Sequence, residues 1–334
     1  MRPALLAALL ACTQLHAATR DWTKNPAIVE LDTSEDIYAV GDAHSDYNRL
    51  RKVLHGAGIT DEDGHWTAGK AILVSTGDMI DKGPRALDVL RFYKILRDDA
   101  RSQGGNVVIL AGNHEAEFLA NPAAPKGKEF AKQLKEAHFD PAEVGACKSE
   151  IGELLCSLAF GARINEWFFS HAGNPRARTI RELQTDIQTG VDHDGYGTKQ
   201  LIGEDSPLEA RLDEDGPNGK PWIQEAMPKF DEQTLLTEYA KALGVTHIVE
   251  GHKPSEVTFL DGTIRHPGEM FQRFGLLFLI DTGMSEGVGD SHGAVLHITG
   301  SGAAATAVCP NGAKTLLWDK KTGQNTGRAA PCKG

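Results

Sequence analysis

Eight side chains in this sequence could do chemistry together: Asp42, His44, Asp78, Asp81, Asn113, His114, His171 and His252. They are carboxylate, imidazole and amide groups, with no thiolate among them. Oxygen and nitrogen donors of this kind suit Mn, Fe or Zn rather than a soft metal. Asp42 and His44 stand two apart, so in an extended loop both side chains reach one side and can chelate one ion. Asp78 has two carboxylate oxygens and can bridge two ions, while Asn113, His171 and His252 can complete the second. Two ions about 3.5–4 Å apart clamp a phosphoryl group and generate a hydroxide.

The elements that position these groups are short apolar strands. Ile37–Val40, Ala71–Val74, Val107–Leu110, Trp167–Ser170, Val245–Val249 and Leu276–Ile280 are each followed by one of the polar clusters, and Ala294–Thr299 reads as the last strand. A helical pattern follows from Tyr47 to Leu54. A second helix opens at Pro84, with a stripe of Leu87, Leu90, Tyr93 and Leu96. Strands alternating with helices predict an α/β fold with a mostly parallel, buried sheet, and open sheets of this class bind ligands at the C-terminal strand ends. Residues 115–160 read as helical. The charge-rich stretch 174–244, with loop signals at Asp192–Gly195 and Asp213–Gly216, reads as a cap insertion.

In succession the clusters are Gly41-Asp42-Ala43-His44, Gly77-Asp78-Met79-Ile80-Asp81-Lys82-Gly83, Gly112-Asn113-His114-Glu115, Ser170-His171-Ala172-Gly173 and Gly251-His252. In this order the chain resembles the calcineurin-like metallophosphoesterase family, and within it the phosphoprotein phosphatase branch, especially the bacterial-type Shewanella-like phosphatases. The resemblance runs from about Ile37 to Ile298. It implies a central β-sandwich flanked by helices, with cap-like insertions near 116–160 and 174–244. The catalytic domain would span 27–305 and a disulfide-linked tail 306–334.

The resemblance also implies roles. Asp42 and His44 bind one metal, Asp78 bridges, and Asn113, His171 and His252 bind the other. His114 protonates the leaving oxygen, with Asp81 as its orienting carboxylate. Lys82, Arg211 and Asn113 bind substrate phosphate; Arg211 ends the segment Ser206-Pro207-Leu208-Glu209-Ala210-Arg211. Ile280-Asp281-Thr282-Gly283 resembles a strand end seen late in this branch. Three positions depart from the family pattern: Ser45 and Ala172 replace Gly, and Lys82 replaces Arg. The activity implied is a metal-dependent phosphomonoesterase acting on phosphorylated small molecules or phosphoproteins, phosphotyrosine among them. A diadenosine polyphosphate hydrolase and a catalytically silent metal- or phosphate-binding protein are the competing readings. Retention of His114 and Asp81 weighs against the silent one, since binding alone needs no proton donor.

Composition bounds the rest. The chain has 334 residues, 40% hydrophobic and 24% charged, with a formal charge of −11. That is globular composition, and its acidity argues against nucleic acid as the main partner. Met1–Ala17 reads as an export signal, with Arg2 before the apolar run Ala4–Ala11. That run is too short to anchor in a bilayer. Leu9-Leu10-Ala11-Cys12 also fits a lipoprotein site, so signal cleavage and lipidation at Cys12 both stand. Export predicts a periplasmic or secreted location. It also predicts disulfides in the two local pairs Cys147–Cys156 and Cys309–Cys332.

Overall fold

The computed structural model describes residues 20–211 and 231–333. The export signal, Cys12 and the Asp213–Gly216 turn lie outside the described residues. Two mixed sheets form the centre. The first contains β2 (Ile37–Val40), β3 (Ile72–Ser75) and β4 (Asn106–Ile109), extended by β12 (Val295–Ile298), β13 (Ala304–Val308) and β14 (Lys314–Asp319), in the order β14-β13-β12-β2-β3-β4. The second contains β1 (Ile28–Leu31), β5 (Gly161–Ile164), β6 (Trp167–Ser170), β7 (His247–Glu250), β11 (Leu277–Leu279), β10 (Met270–Arg273) and β15 (Thr326–Ala329), in the order β1-β5-β6-β7-β11-β10-β15. A small hairpin pairs β8 (Val257–Thr258) with β9 (Ile264–Arg265).

Period-two alternation within the apolar strands builds two separate cores. Ile37, Ala39, Ile72, Val74, Trp167, Phe169, Val249 and Phe278 point inward and pack sheet against sheet. Their neighbours Val40, Leu73, Val107, Phe168, Ile248 and Leu277 point outward, beneath the helices. A strand covered on both faces has no polar side to show, which is why these strands read as unbroken apolar runs. The outer layers are α1 (Tyr47–Gly56), α2 (Ala86–Ser102), α3 (Asn113–Ala120), α4 (Lys128–Glu136), α5 (Pro141–Gly145) and α6 (Glu150–Ser157). They continue with α7 (Ile180–Asp194), α8 (Lys199–Ile202) and α9 (Glu232–Ala242). The α2 stripe Leu87, Leu90, Tyr93 and Leu96 is buried as its spacing predicts. Each such side chain contributes about 1.5–3 kcal/mol.

Four expectations need correction. The sheets are mixed rather than mostly parallel, since β5–β6, β10–β11, β10–β15, β2–β12, β12–β13 and β13–β14 pair antiparallel. Pro84 does not open α2: Arg85 is the N-cap and the helix begins at Ala86. Asp192–Asp194 is the last turn of α7 rather than a loop, and Gly195 at φ 69° ends it. Ala294–Thr299 is not the last strand, for β13, β14 and β15 follow and pair into both sheets. The Thr-Gly-Arg-Ala of β15 carries little intrinsic strand preference, so pairing rather than composition makes it a strand. Both predicted disulfides are present. Cys147–Cys156 joins the end of α5 to α6, and Cys309–Cys332 joins the end of β13 to the segment after β15. Among the described residues no helix is long and apolar enough to cross a membrane.

Two parallel triplets position the site. β2, β3 and β4 run side by side with Val40, Ser75 and Ile109 in register. β6, β7 and β11 do the same in the other sheet, with Ser170, Glu250 and Leu279 in register. The residues that follow these six ends therefore converge on one rim shared by both sheets.

Candidate active site

Asp78 is the centre of that rim. Its Oδ2 lies 3.5 Å from His44 Nε2 and 3.9 Å from His114 Nε2. Its Oδ1 lies 3.5 Å from His171 Nε2 and accepts the His114 backbone N–H at 3.1 Å. The two oxygens thus face separate groups of imidazoles. Donor atoms of His44, Asp78 and His114 lie within 4.8 Å of one another, as do those of Asp78, His171 and His252. Asn113 Oδ1 sits 3.2 Å from His171 Nε2 and so belongs to the second group. Asp42 enters neither cluster. Both its oxygens accept the His252 backbone N–H, at 3.2 and 3.1 Å, which ties the β2 end to the β7 end across the rim.

Tautomers follow from the outer hydrogen bonds. His171 Nδ1 donates to Thr76 O at 2.9 Å and His44 Nδ1 to Ile80 O at 3.3 Å, leaving each Nε2 lone pair directed at Asp78. Burial pushes the His44 imidazole down to about 4 and lowers those of His171 and His252, so all three are neutral donors. His252 Nε2 is buried without a hydrogen-bond partner. Burial opposes ionisation of Asp78, but the surrounding imidazoles, which are protonated at the acid pH where a carboxyl titrates, outweigh it and hold the carboxyl far below its usual range. Burial and the Asp281 and Asp78 carboxylates drive Asp42 well above its usual range, and burial raises Asp281 to about 6. Neutral imidazoles aimed inward, an orphaned ring nitrogen and crowded buried acids are what a pair of cations would satisfy. The donor set fits them.

His114 differs from the other imidazoles. Its Nδ1 donates to Asp81 Oδ2 at 2.8 Å. Burial works against its charged form, but Asp78 and Asp81 outweigh burial and raise its pKa. His114 and Asp81 line a cavity of about 480 Å³ together with His44, Asp78, Asn113, Lys82, Arg211 and His252. Arg211 reaches it because the 206–211 segment is pinned to the turn after His171: Ala172 N–H donates to Pro207 O at 2.8 Å and Gly173 N–H to Ala210 O at 2.9 Å. The same cavity is lined by Lys126, Glu129 and Lys253, which the sequence reading did not single out.

Backbone strain gathers here. His44, Ser45, Asp78, Asp81, Lys82 and His252 all have positive φ, between 39° and 65°. Such conformations persist only where the surroundings over-determine them. Gly112 faces the Asp78 carboxylate so closely that no side chain would fit. Ser45, where the family pattern has Gly, sits at φ 61° with a buried hydroxyl that has no hydrogen-bond partner. Ser45→Gly is therefore expected to raise stability by about 1 kcal/mol, since relief of the left-handed conformation and the orphaned hydroxyl outweighs glycine's extra chain entropy. A urea midpoint lower than wild type would contradict this.

One buried acid holding the site together was quoted in a motif but given no role. Glu115 accepts four backbone N–H groups. Oε1 takes those of Met79 and Ile80 at 2.8 and 3.1 Å, and Oε2 takes those of Asp78 and Gly112 at 3.0 and 2.7 Å. It fixes the β3 loop against the β4 loop, and its place three residues after Gly112 was the available signal. In Glu115→Gln one oxygen becomes an NH₂ facing N–H groups, so two donors lose their acceptor. The expected loss is about 2–5 kcal/mol, read as a lower denaturation midpoint. An unchanged midpoint would mean these bonds do not hold the loops.

Comparison with known proteins agrees with this geometry. The sequence pattern of the calcineurin-like phosphoesterase family matches residues 36–256. An uncharacterized protein of Schizosaccharomyces pombe is 29% identical over 265 residues, covering 74% of this chain and 73% of that one. Shewanella-like protein phosphatase 2 of Arabidopsis thaliana is 36% identical over 85 residues, which is 25% of this chain and 22% of that protein. A solved cold-active protein-tyrosine phosphatase of a psychrophilic Shewanella shares the fold, with a TM-score of 0.65 at 22% identity, over 88% of this chain and 82% of that one.

Proposed function

This chain belongs to the calcineurin-like phosphoesterase family and is a phosphoester hydrolase, and from that premise we propose that it removes phosphate from monoesters on proteins, phosphotyrosine among them. The observation that carries the reading is the His114–Asp81 pair, held at 2.8 Å beside Asp78 in a cavity open to a substrate. A protein that only bound phosphate would have no use for it.

In this reading Asp42, His44, Asp78, Asn113, His171 and His252 hold two transition-metal ions, Mn, Fe or Zn by donor type. When bound, these supply Lewis-acid polarisation of the phosphoryl oxygens and a nucleophile from water. Lys82 and Arg211 neutralise the non-bridging oxygens, and the Asn113 amide orients the phosphoryl group. Lys82 offers a point charge and Arg211 a planar fork, so Arg211 carries more of the orientation. His114 Nε2 delivers its proton to the departing oxygen, and Asp81 keeps the ring aimed and the imidazolium stabilised. Arg211→Ala is expected to lower kcat/KM by roughly 10–100-fold, the worth of a charged hydrogen-bond pair. An unchanged kcat/KM would make Arg211 a solvated surface charge.

We also propose that the chain is exported, to the periplasm or beyond. The apolar run after Arg2 and two disulfides, which persist in oxidising compartments, support this. The functional test is a substrate panel with Mn, Fe or Zn added. Turnover of phosphotyrosine and phosphoserine peptides well above that of a dinucleoside tetraphosphate is expected. The reverse order would favour the polyphosphate hydrolase reading, and no turnover of any substrate would favour the silent one.

A further inference from the structure

Arg265 stands on β9, beyond the residues 36–256 that the family pattern matches. It is fully buried, and its guanidinium is spent on backbone carbonyls. Nη1 donates to Lys253 O and Ser255 O, each at 2.6 Å, Nε donates to Glu269 O at 3.0 Å, and Nη2 donates to Asp281 O. Burying a permanent charge is costly unless its hydrogen bonds are met. The partners here are not scattered. Lys253 and Ser255 lie in the turn that follows His252, and both residues line the active-site cavity. Asp281 follows β11, the parallel neighbour of β7, and its carboxyl is one of the crowded acids under the rim.

From this geometry we infer that Arg265 is the positioning residue of the His252 arm. It rests on the functional reading above, in which His252 holds an ion. His252 itself has φ 65°, and its backbone N–H is held by the Asp42 carboxylate. A strained residue keeps its direction only if the chain on both sides is fixed. Asp42 fixes the peptide N–H of His252, and Arg265 fixes the carbonyls of Lys253 and Ser255 just after it. The fork also clamps the ends of β7 and β11 to each other at the level where both give way to the site. Its positive charge favours the ionised form of Asp281, whose backbone carbonyl it also holds, against the opposing effect of burial. A planar fork of five N–H groups can serve divergent carbonyls at once; a lysine ammonium cannot.

The test uses the full chain stripped of metal, titrated with Mn(II) by calorimetry, for wild type, Arg265→Gln and Arg265→Lys, with p-nitrophenyl phosphate kinetics and melting temperature on the same samples. In Arg265→Gln one of the two Mn(II) constants, that of the position His252 would serve, is expected to fall by roughly 10–100-fold, as when an outer partner of a metal ligand is removed. The other constant should stay near wild type, with kcat lowered and KM little changed. Arg265→Lys, which keeps the charge and loses the fork, should fall between. Two wild-type constants in both folded variants would overturn the inference, as would equal weakening of both constants in step with the melting temperature. If Arg265→Gln does not fold, Arg265→Lys decides on the same readouts. A wild type that binds no Mn(II) or turns over no monoester would defeat the functional reading instead, whatever the variants do.

Discussion

Asp78→Asn is expected to abolish most of the hydrolysis, by roughly 10³-fold or more, with the fold retained. Asp78 is the residue whose two oxygens face different imidazole groups, His44 and His114 on one side and His171 on the other. Asparagine keeps the shape but gives up the charge and replaces one oxygen with a donor, so in the proposed two-ion site the bridge would be lost and both positions would lose its negative charge. Transition-state charge stabilisation by bound ions is worth several kcal/mol, at one decade in rate per about 1.4 kcal/mol. Metal content should fall with activity. A variant retaining two ions per chain and wild-type kcat would show that Asp78 does not bridge. Single changes at His44 or His171 should be milder, because each faces one oxygen only.

His114→Asn is expected to discriminate between substrates. An alkoxide leaving group needs a proton far more than a phenoxide does. General-acid help is typically worth 10²–10⁴ in rate, so the variant should lose about that much on phosphoserine and little on p-nitrophenyl phosphate. The pH profile supplies a second reading. Asp78 and Asp81 raise the His114 pKa against the effect of burial, and an acid catalyst works only while protonated. Wild-type turnover of the alkyl ester should therefore fall as pH rises through a value above about 6.5, the ordinary imidazole value. In His114→Asn that limb should vanish. Equal losses on both substrates, with the limb retained, would remove His114 from proton transfer.

Much of this site was legible in the chain because the physics there is local. A four-residue apolar run followed by Gly-Asp, Gly-Asn-His or Gly-His marks a strand end carrying a ligand-type side chain. Each expected strand from Ile37 to Ile280 lies where its run placed it, within two residues at either end. The assembly of Asp42, Asp78, Asn113, His171 and His252 on one rim needed the register of two parallel triplets, which no single run encodes. It was reached through the order of the motifs instead. Other features depend on tertiary pairing and stayed hidden. β13 (Ala-Ala-Thr-Ala-Val) and β15 (Thr-Gly-Arg-Ala) carry few large apolar residues, and pairing with a waiting neighbour strand makes them strands. Arg265 was not singled out, since nothing near it in sequence announces four carbonyls brought together from 253, 255, 269 and 281. Glu115 was visible as a letter in a motif, but its four N–H partners span two loops.

The central claim, that this is a two-ion phosphomonoesterase, is tested most directly by adding Mn(II) stepwise to metal-stripped protein. Bound metal and turnover of a phosphotyrosine peptide would be measured at each step. The account predicts negligible turnover without metal and a rise to a plateau at two ions per chain. Full turnover in the metal-free protein, or none with both ions bound, would contradict it.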